Sequence, residues 1–380
     1  MVAMAQDVVV IGGGLVGSSI AFELARQKLR VVVLDSSQPA GEASWAAAGM
    51  LTLAAEAGTD EHLFRLARAS LEEYPAFITA VESMSGIHTG YRRCGALELF
   101  FGADGVQAQR QHGARLAGFR IVAEELGSRQ VQALEPAVNP EVTAAIRLHD
   151  EAVVDSRRLT RAVLVAAQRL GVEIRPGTPA RAVQAEAKGC EVVLASGEHL
   201  AAGHVVIAAG AASTQLGGVG RYAPTRPARG QIVVLEGSRL PLQHTLRTPG
   251  GYLVAHDDGR LLAGSTVEDA GFEHAVTAGG LLHILQTAVR MVPDVARLPV
   301  LETYSGLRPD TPDHLPILGP TDLPGVSVAT GHFRNGILLA PVTARLARAW
   351  ILGEPTDISL EPFSPLRFLG QSQPSAARTV

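Results

Sequence analysis

The stretch Val8–Asp35 restricts the fold more than any other part of the chain. Asp7–Ile11 is a short β-branched run, the pattern of a parallel strand buried on both faces. Gly12-Gly-Gly14-Leu-Val-Gly17 follows it, and Leu15–Lys28 then carries apolar residues at helical spacing. Arg30–Leu34 is a second Val-rich strand, closed by Asp35. Each glycine of the GxGxxG turn has a physical task. Gly12 permits the tight turn, Gly14 lets the backbone approach a pyrophosphate, and Gly17 lets the helix pack on the strand. The helix start then turns free N–H groups and the positive end of its dipole toward phosphate. An acid about 20 residues beyond the turn stands where a carboxylate takes ribose hydroxyls. The turn alone does not separate one dinucleotide from another.

Bulk properties set the frame around this unit. The chain has 380 residues, is 47% hydrophobic and only 4% aromatic, and holds 40 Gly and 22 Pro, which suits a loop-rich α/β protein with a large core. A formal charge of −4 gives no electrostatic reason to expect nucleic acid or an anionic membrane as partner. Cys94 and Cys190 are too few for a disulfide framework and sit in no metal-ligand spacing, which fits a reducing cytoplasm. The start Met1–Gln6 lacks the basic residues of a secretory signal, and the glycine-broken run Val8–Leu24 reads as strand and helix rather than a membrane span. The polar stretch Gln371–Val380 reads as a flexible tail.

Periodicity divides the rest. Helical patterns cover Glu61–Ser85, Val106–Gly118, Ser128–Glu135 and Ala278–Met291. A well-signalled helix spans Asp155–Leu170, with Asp155 as N-cap and Gly171 at its end. Strands are expected at Gly95–Phe101, Ala144–Leu148, Val172–Arg175, Gly230–Leu235, Thr245–Arg247, Tyr252–His256, Arg260–Gly264 and Val326–Ala329. Arg181–Leu194 with His199–Leu200 reads as a meander, and His204–Ala209 as a separate buried strand. Asp257-Asp-Gly259 is a hairpin turn. The result is an α/β plus α+β chain: a Rossmann-like nucleotide domain carrying an inserted, mostly antiparallel-sheet substrate domain. The nucleotide domain is assigned to 1–87, 149–219 and 309–365, the inserted domain to 88–148 and 220–308, and the tail to 366–380.

Two further features favour FAD over NAD. The small-residue run Ser44–Met50 suits close backbone approach to a large cofactor. The loop Gly331-His-Phe-Arg-Asn-Gly336 opens a helix expected to reach about Leu352, whose N-terminus is able to stabilise negative charge on a reduced flavin ring. With Val10–Gly17, Ala43–Leu51, Ser305–Asp313, Leu315–Gly319 and Ala329–Leu339 in this order, the sequence resembles the D-amino-acid-oxidase-type FAD family, and within it the glycine oxidase branch. The resemblance runs from near the N-terminus to about residue 355.

The resemblance implies flavin contacts at Ser44, Ala48, Gly49 and Met50, adenine contact through the backbone near Ala180, and a flavin edge along His332–Leu338. The full cofactor set is Gly12, Gly14, Leu15, Val16, Gly17, Asp35, Ser36, Ser44, Ala48, Gly49, Met50, Ala180, Gly210, His332, Arg334, Asn335, Gly336, Ile337 and Leu338. It also implies that Arg308 holds a substrate carboxylate, assisted by Tyr252. On the residues alone, Arg308 could as well pair with Asp310 or Asp313, and Tyr252 could be an ordinary half-buried strand residue. Arg334 reads as a substrate or flavin contact, a lid residue or a loop salt bridge. His332 is not needed as a base, because a correctly oriented neutral amine releases hydride directly. Thr52 and Val267 map near the substrate side chain. Neither cysteine falls in the C-terminal loop where some relatives attach flavin, so a non-covalent cofactor is expected.

The implied reaction is FAD-dependent oxidative deamination of a small amino acid, glycine first, with sarcosine and small D-amino acids beside it and oxygen as acceptor. A homo-oligomer, and a role in thiamine biosynthesis, are compatible with it. The competing readings are a D-amino-acid or hydroxyproline dehydrogenase of the same fold using another acceptor, and a non-catalytic flavin-bound subunit or assembly factor.

Overall fold

The computed structural model describes residues 6–56, 60–186 and 189–369. The expectations for the leader and for the tail beyond residue 369 lie outside that range. The first strand, Gln6–Ile11, is the centre of the molecule. It pairs in parallel with Val31–Leu34 on one side and with His199–Ile207 on the other. The sheet continues to Glu173–Arg175 at one edge, and through Val326–Thr330 to the antiparallel Ile317–Pro320 at the other. Both faces are covered, which explains the unbroken apolar run. Val8 and Val10 pack into a core with the helices Leu15–Arg26, Glu61–Ser85, Ser156–Arg169 and Gly336–Leu352. Val9 and Ile11 pack on the opposite side, against Val183, Val192 and Leu200.

One expectation is corrected here. His199–Leu200 and His204–Ala209 are not separate strands but one, His199–Ile207. Its first half is antiparallel to Gly189–Leu194 and its second half is parallel to Gln6–Ile11. Gly203 sits at the changeover, and a Cβ on the neighbouring Gly325 would lie 2.8 Å from the Gly203 carbonyl oxygen.

A second eight-stranded sheet runs in the order Val300–Asp310, Arg226–Glu236, Arg260–Gly264, Gly251–Ala255, Thr245–Thr248, Ala96–Phe101, Val142–Leu148, Ala123–Gly127. All its pairings are antiparallel except that of Thr245–Thr248 with Ala96–Phe101. Val233 and Leu235 face the helix Ala278–Met291, whereas Ile232 and Val234 face Ala46 and Ala48 of the first unit. One face of this sheet is therefore free to build a cavity wall. Asp155 ties the two units together. It caps Ser156–Arg169 by accepting from the Arg158 N–H at 3.0 Å, and it pairs with Arg260 of the second sheet.

Candidate active site

Strand direction decides where the site forms. Four parallel strands of the first sheet end at one rim, and Gly12, Asp35, Ala208–Gly210 and Gly331–Asn335 follow those ends. The chain leaves the central strand toward opposite sides there, so a crevice opens beyond the strand ends. Between this crevice and the second sheet lies a cavity of about 1100 Å³.

The glycine turn is built as its spacing requires. Gly12 has φ +114°, and a Cβ there would lie 2.3 Å from the Ala208 carbonyl oxygen. Gly14 is the N-cap of Leu15–Arg26 and carries no side-chain cap. The Leu15 N–H donates to Ser44 Oγ at 2.9 Å, which joins the turn to the small-residue segment. Asp35 accepts from the Gly13 N–H at 2.8 Å and the Ser37 N–H at 2.9 Å, holding the turn open beside the cavity.

Every predicted site residue except Gly17 lines this cavity. Gly17 does not line the cavity: a Cβ there would lie 2.0 Å from the Gly12 carbonyl oxygen, so it serves the helix–strand contact. Thr52 lines the wall, but its hydroxyl donates to Glu151 at 2.5 Å and accepts from Arg247. Val267 is 62% exposed, which puts it at the mouth rather than in the depth. The two cysteines are not among the lining residues.

The register of the second sheet explains the opposite wall. Glu98, Arg247, Tyr252, Gly264, Ile232 and Tyr304 fall in one row across six strands. Two glycines in this wall make room for two large polar groups. A Cβ on Gly264 would lie 2.5 Å from the Tyr252 hydroxyl, and one on Gly230 would lie 2.2 Å from Arg308 Nη1. Tyr252 and Arg308 thus lie flat on bare backbone. Arg308 donates to the Thr266 carbonyl at 3.1 Å and to Ser265 Oγ at 2.9 Å.

Arg308 makes no ion pair among the described residues. The carboxylates that could have taken it are engaged elsewhere. Asp310 pairs with Arg226 at 2.8 Å and His314 at 2.7 Å, and Asp313 with Arg367 at 2.8 Å. Burial pulls the Arg308 pKa below the usual guanidinium value and Arg334 adds to the fall, with Tyr252 and Glu268 opposing it. Tyr252 is pushed up by burial, against the pull of Arg308, Ser265 and Arg334, so its phenol stays protonated and able to donate. A half-buried guanidinium without an ion-pair partner, beside a phenol, is a carboxylate receptor.

His332 is buried and its pKa is pushed down to about 4 by desolvation. Its Nε2 meets Thr343 Oγ1 at 3.1 Å. Arg334 is exposed at the rim, and Asn335 is the N-cap of the helix Gly336–Leu352. The first-turn N–H groups of that helix stand at the same cavity as the first-turn N–H groups of Leu15–Arg26.

The cluster of Glu98, Arg247 and Glu151 was missed in the sequence. Arg247 is buried and pairs with Glu98 at 2.8 Å and Glu151 at 3.0 Å. Glu98 also pairs with His112, which meets the exposed Arg115 at 2.7 Å. The available signal was Glu98 standing between Leu97 and Leu99 in an alternating strand, since those leucines face the core and Glu98 the other side.

The residues fit FAD. The cavity is long enough to pass from Asp35 and Ala180 to Arg308 and Leu338, with an acid at one end and a helix start at each of two places along it. Residues 7–350 match the sequence profile of the family described as FAD dependent oxidoreductase, DAO. The chain belongs to this family.

Among FAD dependent oxidoreductases, its relatives include a glycine oxidase of Geobacillus kaustophilus, 32% identical over 96% of this chain and 98% of that protein. The crystal structure of glycine oxidase from Geobacillus kaustophilus superposes with a TM-score of 0.91, covering 95% of this chain and 98% of that one. The bifunctional protein ThiO/ThiG of Trichormus variabilis is 34% identical over 97% of this chain. This chain spans 56% of that relative's length, about half, as with the other ThiO/ThiG proteins it matches.

Proposed function

We propose that the protein oxidatively deaminates a small amino acid, with glycine as the preferred substrate and sarcosine and small D-amino acids as further ones. The overall conversion takes amino acid, oxygen and water to 2-oxo acid, ammonia and hydrogen peroxide. The unpaired guanidinium of Arg308 in the cavity carries this reading.

Arg308 takes the substrate carboxylate through two parallel hydrogen bonds, and Tyr252 donates a third from its phenol. Fixing the carboxylate at two points leaves the α-carbon one orientation, and this positioning is the main catalytic contribution of the chain. When bound, FAD would supply the two-electron acceptor for the hydride leaving the α-carbon. Ser44, Ala48, Gly49 and Met50 would hold the flavin on one side and His332–Leu338 on the other. The turn from Gly12 to Val16, with Asp35, Ser36, Ala180 and Gly210, would hold the adenosine diphosphate portion. The positive end of the helix Gly336–Leu352 favours anionic charge at the cavity. With its pKa near 4, His332 is neutral at physiological pH. Its ring nitrogen toward Thr343 gives it a packing role, and no step requires it to move a proton. Neither cysteine lines the cavity, which supports a cofactor held without a bond to cysteine. The imine released before hydrolysis is the species the resembling branch passes to thiamine biosynthesis, and the same use is part of the proposal.

The test is direct. The purified flavoprotein is screened with small amino acids for peroxide release, with dye reduction in parallel. Peroxide from glycine, lost in Arg308→Ala, supports the reading. Dye reduction without oxygen uptake would replace the acceptor, and an Arg308→Ala variant with full efficiency would sink the site.

A further inference from the structure

The unpaired guanidinium of Arg308 raises a physical question. A half-buried cation without a counter-ion depends on the hydrogen-bond acceptors it can reach, so something must hold it flat over Gly230. Its protein partners are the Thr266 carbonyl and Ser265 Oγ, both on the segment after the strand Arg260–Gly264. That segment has little regular structure of its own, so its position must come from elsewhere.

It comes from a clamp behind the cavity wall. Arg229 and Glu268 exchange both backbone hydrogen bonds at 2.9 Å. The Arg229 guanidinium donates to Glu268 Oε2 from Nε at 2.8 Å and from Nη2 at 2.5 Å. Gln231 donates to Glu268 Oε1 at 2.7 Å, and its backbone N–H donates to Thr266 Oγ1 at 3.0 Å. The Gln231 amide also takes the Thr277 N–H at 2.9 Å and lies against Gly280, where a Cβ would come within 2.4 Å. The Arg229 side chain is only 8% exposed. Glu268 itself does not line the main cavity.

We propose that Glu268 is a positioning residue for substrate carboxylate binding: clamped by Arg229 and Gln231, it fixes the Thr266 carbonyl that holds Arg308 in its receiving orientation. The proposal rests on the reading of Arg308 as the carboxylate receptor. Glu268 acts in two ways. Its hydrogen bonds set the path of residues 265–268. Its charge is also felt by Arg308 without contact, opposing the loss of basicity that burial causes. The carboxylate is itself held below the usual range despite burial, by hydrogen bonds from Thr266, Arg229 and Gln231, so it is ionised at physiological pH.

Acetate binding to the FAD-loaded protein, followed by perturbation of the flavin spectrum, reads the receptor without turnover. Glu268→Gln keeps the shape but loses the charge and one acceptor. It is expected to weaken acetate binding about 10-fold and to raise the KM for glycine similarly, in line with the loss of a charge-assisted hydrogen bond. The value of kcat should stay within about twofold and FAD affinity should not change, because only binding orientation is disturbed. Thr266→Val loses the hydroxyl's contacts to the Gln231 N–H and to Glu268 and should show the same split, at about threefold. Unchanged acetate affinity in Glu268→Gln, with Arg308→Ala still abolishing it, overturns the role of Glu268. Acetate affinity unchanged in Arg308→Ala as well overturns the reading of the site. A Glu268→Gln protein that loses FAD affinity and kcat in parallel with KM makes Glu268 merely structural and likewise overturns the proposal.

Discussion

Gly230→Ala tests the architecture of the carboxylate receptor with the smallest possible change. The added Cβ would lie 2.2 Å from Arg308 Nη1, 2.4 Å from Nη2 and 2.5 Å from Cζ. Ordinary carbon–nitrogen contact needs more than 3 Å, so the guanidinium has to withdraw by about 1 Å. The backbone cannot yield in its place. Gly230 is paired with Gly306 inside a strand bonded on both sides, and a Cβ on Gly306 would already lie 2.3 Å from Ala46 Cβ. Misplacing a positioning group by about 1 Å costs on the order of 100-fold in rate, so kcat/KM for glycine should fall about 100-fold, almost all of it expressed at subsaturating substrate. Fold and cofactor should survive, since Ala is no worse than Gly in a strand. The assay is steady-state peroxide release, with flavin content and melting temperature as controls. A Gly230→Ala protein with kcat/KM within threefold of the parent would show that Arg308 does not bind substrate from where it lies.

Other consequences follow from the same geometry. Arg308→Lys retains the charge but not the paired donors, and its kcat/KM should fall at least about 10-fold while Arg308→Ala falls about 100-fold or more; equal activity of Lys and Arg would remove the two-bond argument. Tyr252→Phe should raise KM about fivefold with a small effect on kcat, as expected for one lost hydrogen bond to a charged ligand, and steady-state kinetics decide it. Asp155→Asn breaks a buried pair with Arg260 between the two units, and should lower unfolding stability by about 3 kcal/mol; a denaturant midpoint matching the parent would refute this. His204 and His332 are each pushed down to about 4 by burial. An unfolded histidine takes its proton near 6.5, so between about 4 and 6.5 the unfolded chain binds more protons and stability falls as pH falls. The loss is at most about 1.4 kcal/mol per histidine per pH unit. Melting temperature measured from pH 7 to 5 should fall less steeply in His204→Asn, and parallel slopes would count against the assignment.

What the sequence disclosed divides by the range of the interactions involved. Gly12–Gly17, the helix Glu61–Ser85 and the hairpin at Asp257–Gly259 are fixed by contacts within a few residues, and periodicity and turn chemistry read them directly. Arg308 was legible as a candidate but not as a free cation. Whether it paired with Asp310 depended on Arg226 and His314, and Arg226 is 84 residues from Asp310 in the chain. The wall opposite the strand-end crevice was the least legible. Glu98 and Arg247 meet across 149 residues only because Thr245–Thr248 and Ala96–Phe101 pair in parallel, and no local pattern encodes that register. Gly230 and Gly264 share one cause. Each reads in sequence as a weak point of a strand, and each is where something must pass closer than a Cβ permits: a guanidinium at Gly230 and a phenol at Gly264. A glycine inside a β-branched or apolar strand is therefore a sharper pointer to a site than the charged residues around it. The charged residues could be solvated or paired anywhere, whereas the missing Cβ has a use only if another group occupies its place.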